Sequence, residues 1–166
     1  LREIQPPEAR VTFYGGEPML NQKVMFELIP RIKRIEYPSQ KRPVGIVMIT
    51  NGYVYNPTLT ELFKQHSVGV CISLDGNRPH QDVTRLLRRS AKSTFDRVIT
   101  NYHRYRDAGL SMGISVALGR HNVFDLRDIA HFFGSELRPP FVEFQIPYQV
   151  MGESNEFWIS TTAASR

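Results

Sequence analysis

Val11-Thr12-Phe13-Tyr14-Gly15-Gly16-Glu17-Pro18 decides how this chain is read. Four β-favouring residues run into two glycines that permit a tight reversal, then an acid and a proline suited to a helix start. The same succession returns downstream. Residues 44–49, 68–73, 112–118 and 141–146 are short runs rich in Val, Ile and Phe, and with 11–14 they read as five buried strands. Four segments with helical spacing lie between them. The first carries Met25, Leu28, Ile29, Ile32 and Ile35 behind Asn21 as N-cap, with Pro30 expected to kink or split it. The second opens on Asn56 and Pro57, ahead of Leu59, Leu62 and Phe63. The third starts at Ser93, with Asp96 three residues on in the manner of a capping box, and stops at Gly109. The fourth carries Leu126, Ile129, Ala130 and Phe133. Near-continuously apolar strands alternating with helices predict an α/β fold, a parallel sheet covered by helices. Closed or partly closed it is a βα barrel; open, it is a doubly wound sheet.

Composition narrows the class. With 166 residues, 41% hydrophobic and 22% charged, the chain has room for one ordinary globular core. No apolar run is long enough to span a bilayer, and the first residues lack the pattern of a signal peptide, so the expected compartment is the cytoplasm. The chain does not begin with Met, which suggests that it starts inside a longer polypeptide. Residues 151–166 show no clear pattern and read as an irregular C-terminal extension after a core of 1–150. Cys71 is the only cysteine, so neither an intrachain disulfide nor a cysteine-based metal site can form within the chain. The net charge of +5 is uneven: residues 78–106 hold eight Lys or Arg against Asp82 and Asp96. Such a run is a solvated helix face or an anion-binding surface.

In parallel βα folds ligands bind beyond the carboxyl ends of the strands. The glycine-rich and polar clusters fall at those ends: Gly15-Gly16-Glu17-Pro18, Thr50-Asn51-Gly52, Asp75-Gly76, Gly119-Arg120-His121-Asn122 and Gln145-Ile146-Pro147-Tyr148. Taken singly each is an ordinary turn. Together, and in this order, they carry a family resemblance. Gly15-Gly16-Glu17-Pro18 resembles the GGEP motif of radical S-adenosylmethionine (SAM) enzymes, and Thr50-Asn51-Gly52 is similar to their TNG element. Ser73-Leu74-Asp75-Gly76, with Asp82 and Arg85 downstream, resembles the SLDG…HDxxR signature of the branch that modifies peptides and proteins. That branch includes anaerobic sulfatase-maturing enzymes and SPASM-type maturases. The resemblance covers about residues 10–147 and implies a partial (β/α)6 barrel, without its first strand and cluster loop.

The resemblance also implies SAM as cofactor, reductively cleaved to a 5′-deoxyadenosyl radical with a [4Fe–4S] cluster whose ligands lie outside this chain. A peptide or protein substrate and a reducing electron donor would be the partners, and no membrane is involved. It assigns the SAM ammonium to Gly15, Gly16 and Glu17, where glycines let backbone carbonyls approach and the acid adds negative charge. Pro18 and Asn51 belong to the same two motifs. Ser73 and Asp75 are short acceptors suited to a ribose diol. An arginine fork suits the carboxylate, with Arg85 ahead of Arg89. Adenine is expected on backbone and apolar surface near Ser115, Val116 and Ile146. No catalytic side chain and no metal ligand is named.

The sequence departs from the pattern twice. Only ten residues precede Val11 and none is Cys, whereas the family holds its cluster on a CxxxCxxC loop after the preceding strand. Cys71, beside Ile72 in mid-strand, reads as a small core residue. Gln81 stands where the family has a histidine, with His80 one place earlier; His80 and His121 read as loop residues. Two other readings remain open: a cluster-less SAM-binding or partner-binding barrel, and a basic RNA-binding domain. The second lacks interleaved aromatic residues to stack bases.

Overall fold

The computed structural model describes residues 6–146. Five strands form one parallel sheet in the order β1-β2-β3-β4-β5: β1 (Arg10–Phe13), β2 (Gly45–Thr50), β3 (Val68–Ser73), β4 (Met112–Ala117) and β5 (Phe141–Gln145). Sequential neighbours never reverse direction, so there is no topological switch point. Right-handed crossovers then lay every helix on the same face, which is a barrel wall and excludes the doubly wound alternative. The helices are α1 (Gln22–Lys33), α2 (Pro57–Gln65), α3 (Arg78–Thr84), α4 (Phe95–Asp107) and α5 (Leu126–Phe132), the last continued by a π turn at Phe133–Leu137.

Alternation along the strands divides the sheet into two unlike faces. Ile46 and Met48, Val68, Val70 and Ile72, and Met112, Ile114 and Val116 belong to one core cluster. The helices supply Met25, Ile29, Leu59, Phe63, Val98, Tyr102, Tyr105, Ile129 and Phe133 to the same cluster. The opposite, inner face is mixed: its register rows start apolar and turn small and polar toward the carboxyl ends of the strands. Ile49, Cys71, Gly113 and Phe141 form one row; Ser73, Ser115 and Glu143 form the next; Ala117 and Gln145 close it at the carboxyl end.

Helix boundaries follow local chemistry with three corrections. Asn56 caps α2 as expected, its Oδ1 accepting from the Leu59 amide at 3.1 Å, with Pro57 in the first turn. Pro30 does not split α1, which runs unbroken through it, and the Asn21 side chain makes no capping bond. The capping box at Ser93 does not form: Thr94 is the cap of α4, Ser93 donates to Asp82, and Asp96 pairs with Arg78. Helix α3 goes beyond the four expected segments, because seven residues carrying a proline show no apolar period. The extension 151–166, like Pro147 and Tyr148, lies outside the described residues.

Cys71 is 2% exposed and faces the inner side. Burial, with the Glu143 carboxylate as the smaller cause, pushes its thiol up to about 12. The folded protein is therefore expected to resist iodoacetamide at pH 8, where almost no thiolate exists, and to react stoichiometrically once denatured. The unfolded chain ionises first, so this group's share of stability falls as pH rises from about 9 to about 12. Mass spectrometry of the alkylated protein reads the outcome; stoichiometric labelling of the folded state within minutes contradicts the placement.

Candidate functional site

Gly15 and Gly16 both hold positive φ, at 91° and 55°, a region that side-chain-bearing residues avoid. A Cβ at either would meet nothing within 4 Å, so the constraint here is conformational and the space over the loop is open. Glu17 follows in extended conformation and caps the 3-10 turn Pro18–Leu20. Its Oε1 accepts from the Met19 amide at 2.9 Å and from Thr50 Oγ1 at 2.6 Å, and its Oε2 accepts from the Asn51 amide at 2.8 Å. One carboxylate thus ties the loop after β1 to the loop after β2. The second loop is held from behind by Asn101, whose amide donates to the carbonyls of Gly52 and Tyr53 at 2.9 and 3.1 Å. Gly52 is required by packing as well, since a Cβ there would sit 2.9 Å from Ile72 Cγ2.

The end of β3 is pinned in the same manner. Asp75 is 1% exposed. Its Oδ2 accepts from Arg85 Nε at 2.7 Å and Thr84 Oγ1 at 2.9 Å; its Oδ1 accepts from Arg85 Nη2 and the Ala117 amide, each at 3.0 Å. Its backbone amide donates to Gln81 Oε1, and its carbonyl accepts from Asn122 Nδ2, both at 3.0 Å. Asn122, fully buried, also donates to the Ala117 carbonyl at 2.9 Å, so β3 and β4 are bound together at their ends. His80 belongs to α3 and not to a loop, and its Nε2 lies 3.1 Å from Asp125 Oδ2. His121 Nε2 lies 3.9 Å from Asp75 Oδ2; burial lowers its pKa against the pull of Asp75.

These two latches frame a cavity of about 220 Å³ at the carboxyl ends of the strands. Its walls include Gly15, Gly16, Asn51, Ser73, Arg85 and Ser115, six residues that sequence reasoning places in one site. They come from loops or strands separated by up to a hundred residues, and the parallel sheet brings them together. Arg85 uses Nε and Nη2 on Asp75, which orients the rest of its guanidinium at the cavity. Tyr14, Ile49, Thr50, Ala117 and Gln145 complete the lining.

The other expected residues take different places. Asp75 is not a free acceptor for a diol: five hydrogen bonds, counting that of Asn122 to its carbonyl, already occupy its oxygens. It is a positioning residue for Arg85. Glu17 lies outside this cavity and holds the loop rather than facing the opening. Pro18 starts the 3-10 turn. Val116 turns its side chain into the helix-covered core, because it alternates with Ser115. Ile146, just past β5, is 67% exposed and does not line the cavity, whereas Gln145 does. Arg89 is exposed and also lies away from it.

Sequence reasoning misses Thr50, Gln81, Thr84, Asn101 and Asn122 as the residues that fix the rim. A buried polar residue next to a strand-end turn is the available signal for Asn122. Of the eight bases in residues 78–106, five have structural work. Arg78 and Arg97 sit over the rings of Phe95 and Tyr53, Arg104 over Tyr55, Arg85 on Asp75, and Arg106 beside Asp107.

A metal cluster does not fit. The one thiol is buried in mid-strand, and no group of three or more His, Cys, Asp or Glu suited to a metal forms among the described residues. No helix among the described residues is long and apolar enough to cross a membrane. The polar groups around the cavity, by contrast, suit a ligand with an ammonium, a carboxylate and hydroxyls: an exposed glycine loop with carbonyls that can accept, an oriented guanidinium that donates, and two serines.

Comparison with known proteins gives the same direction. An uncharacterized protein of Methanothermobacter thermautotrophicus is 26% identical over 133 residues, 80% of this chain and 48% of that protein. The chain thus spans about half the length of this curated relative. Native anSMEcpe with bound AdoMet and Kp18Cys peptide superposes with a TM-score of 0.76 at 17% identity, over 95% of this chain and 44% of that one. A histidine-tagged anSMEcpe with bound AdoMet gives 0.78 at 16% identity, over 95% and 42%. At such identity these structures establish the fold. The sequence model of the radical SAM superfamily matches residues 1–133, and to that superfamily this chain belongs.

Proposed function

We propose that the chain is the SAM-binding wall of a radical SAM enzyme that modifies a peptide or protein, with the cluster held by residues outside it. What carries the reading is the convergence of Gly15, Gly16, Asn51, Ser73, Arg85 and Ser115 on one cavity. The carbonyls of the Gly15–Gly16 loop receive the SAM ammonium. The Arg85 guanidinium, braced by Asp75, receives the carboxylate as a charge-assisted pair. Ser73 and Ser115, adjacent in register, face the ribose and adenine end. When bound, SAM would supply a 5′-deoxyadenosyl radical, with methionine as the leaving group, on receiving one electron from a cluster held outside this chain. The chain's own residues bind, orient and exclude water. A peptide substrate is supported by the solved structure of anSMEcpe with bound AdoMet and a peptide.

Equilibrium dialysis of labelled SAM against the intact protein tests this. Ser73→Ala is expected to weaken binding about tenfold, the worth of one hydrogen bond. Gly16→Val is expected to abolish it, because a β-branched residue resists φ of 55° and would project into the opening. Affinity within about twofold of wild type in both variants overturns the assignment.

A further inference from the structure

Beside the SAM cavity, and sharing Asn51 and Arg85 with it, lies a second groove of about 400 Å³. Its walls are unlike those of the first. Leu20, Val54, Leu86 and Leu87 line it, and Leu20 and Leu86 are 78% and 40% exposed. The sole carboxylate in the wall is Glu17, which already accepts three hydrogen bonds. On the far lip runs the turn between α3 and α4, closed by a bridge from Leu86 to Ser93 and by Leu87 and Lys92 joined at 2.9 Å. Thr94 Oγ1 fastens its base to the Arg85 carbonyl at 2.6 Å. This ordered turn carries Arg88, Arg89 and Lys92, all exposed. They are the three bases of the 78–106 run whose side chains make no ion pair, hydrogen bond or ring contact among the described residues. An apolar floor under an unneutralised basic lip, opening onto the cofactor cavity, has a definite complement.

We propose that this groove docks an extended peptide segment in which apolar side chains alternate with carboxylates. The apolar groups rest on Leu20, Val54 and Leu86, and the carboxylates meet Arg88 and its neighbours. Alternation matches the two unlike sides of the groove, since successive residues of an extended chain point opposite ways. A single-stranded nucleic acid is the poorer complement. It needs free aromatic faces, and the one ring in the wall, Tyr53, is covered by the Arg97 guanidinium 4.4 Å from its centroid. The inference rests on the peptide-modifying reading and adds to it a substrate class: an acidic, apolar segment held next to the reacting centre.

Fluorescence anisotropy on the intact protein tests it with labelled acetyl-Ala-Leu-Glu-Leu-Asp-Ala-amide and its counterpart carrying lysine at both acidic positions. The acidic peptide is expected to bind at least about tenfold tighter, with the preference shrinking between roughly 50 and 500 mM NaCl because the pairs are exposed. Arg88→Glu should remove the preference, and Leu20→Ser should weaken both peptides severalfold. Neither position lines the SAM cavity, so SAM affinity of both variants, measured by dialysis, should stay unchanged. Equal affinity for the two peptides overturns the docking proposal even if SAM binds. A retained acidic preference in a protein that fails to bind SAM leaves docking standing and removes the SAM reading. Tighter binding of a uridine dodecamer, lost in Arg88→Glu, overturns the peptide assignment, as does concentration-dependent self-association abolished by Leu20→Ser.

Discussion

Asp75→Ala is expected to destabilise the barrel wall by about 3 kcal/mol, because removing one partner of a buried pair strands the other. Four donors lose their acceptor at once: two from Arg85, one from Thr84 and the Ala117 amide. The Asp75 side chain is 2% exposed and that of Arg85 27%, so water reaches only the arginine end. That partial access keeps the expected cost at the low end of the range for buried pairs. Thermal melting followed by circular dichroism should fall by roughly 6–12 °C, at about 2–4 °C per kcal/mol for a chain of this size. Asp75→Ala combined with Arg85→Met should cost little more than Asp75→Ala alone, since the second change removes the stranded charge. Additive losses in the double variant, or a shift under about 2 °C in the single one, would show that the pin is not what holds the end of β3. A role confined to touching ligand predicts the opposite pattern, with melting unchanged and SAM affinity lost.

The contrast between Asp75 and Ser73 shows how far the sequence could be read. Strand positions were legible because five short apolar runs punctuated by glycine and polar turns admit few other arrangements. Parallel strands then force the turn residues to one rim, so the grouping of Gly15, Asn51, Ser73 and Ser115 followed from order alone. Register did the rest for serines 73 and 115, which alternate onto the inner face opposite core residues such as Ile72 and Val116. What spacing could not show was which polar groups are used internally. Asp75 and Glu17 have the chemistry of ligands, but apart from the Met19 amide the partners of their carboxylates lie 9 to 42 places away, and no local pattern announces that pairing. Helix α3 escapes for a related reason. Its seven residues are held by tertiary bonds such as Gln81 to the Asp75 amide, with no apolar stripe to reveal them. Val116 follows Ser115 by one place, and one place is enough to change face.

Glu17→Ala is expected to lower SAM affinity about 100-fold while moving the melting temperature far less than Asp75→Ala does. The carboxylate is half-buried and surface-facing bonds contribute little to global stability, yet three of them converge on one loop. Without them the glycines at 15 and 16 are free to sample the wide range of φ that made them suitable, and the loop carbonyls lose their aim. Each bond to an ionised acceptor is worth about 1 kcal/mol after solvent screening, and about 2.7 kcal/mol corresponds to the 100-fold loss. Glu17→Gln separates geometry from charge. Its amide oxygen can still accept from Met19 and Thr50, but its amine would face the Asn51 N–H, donor against donor, and affinity should fall about tenfold. Titration calorimetry with SAM, beside limited proteolysis at the loop, reads both effects. If Glu17→Ala binds SAM within about twofold of wild type while the loop becomes protease-sensitive, the Gly15–Gly16 carbonyls are not the ammonium site. If the loop stays resistant, the tie to β2 is redundant and the frame of the cavity must be held by the Asn101 side alone.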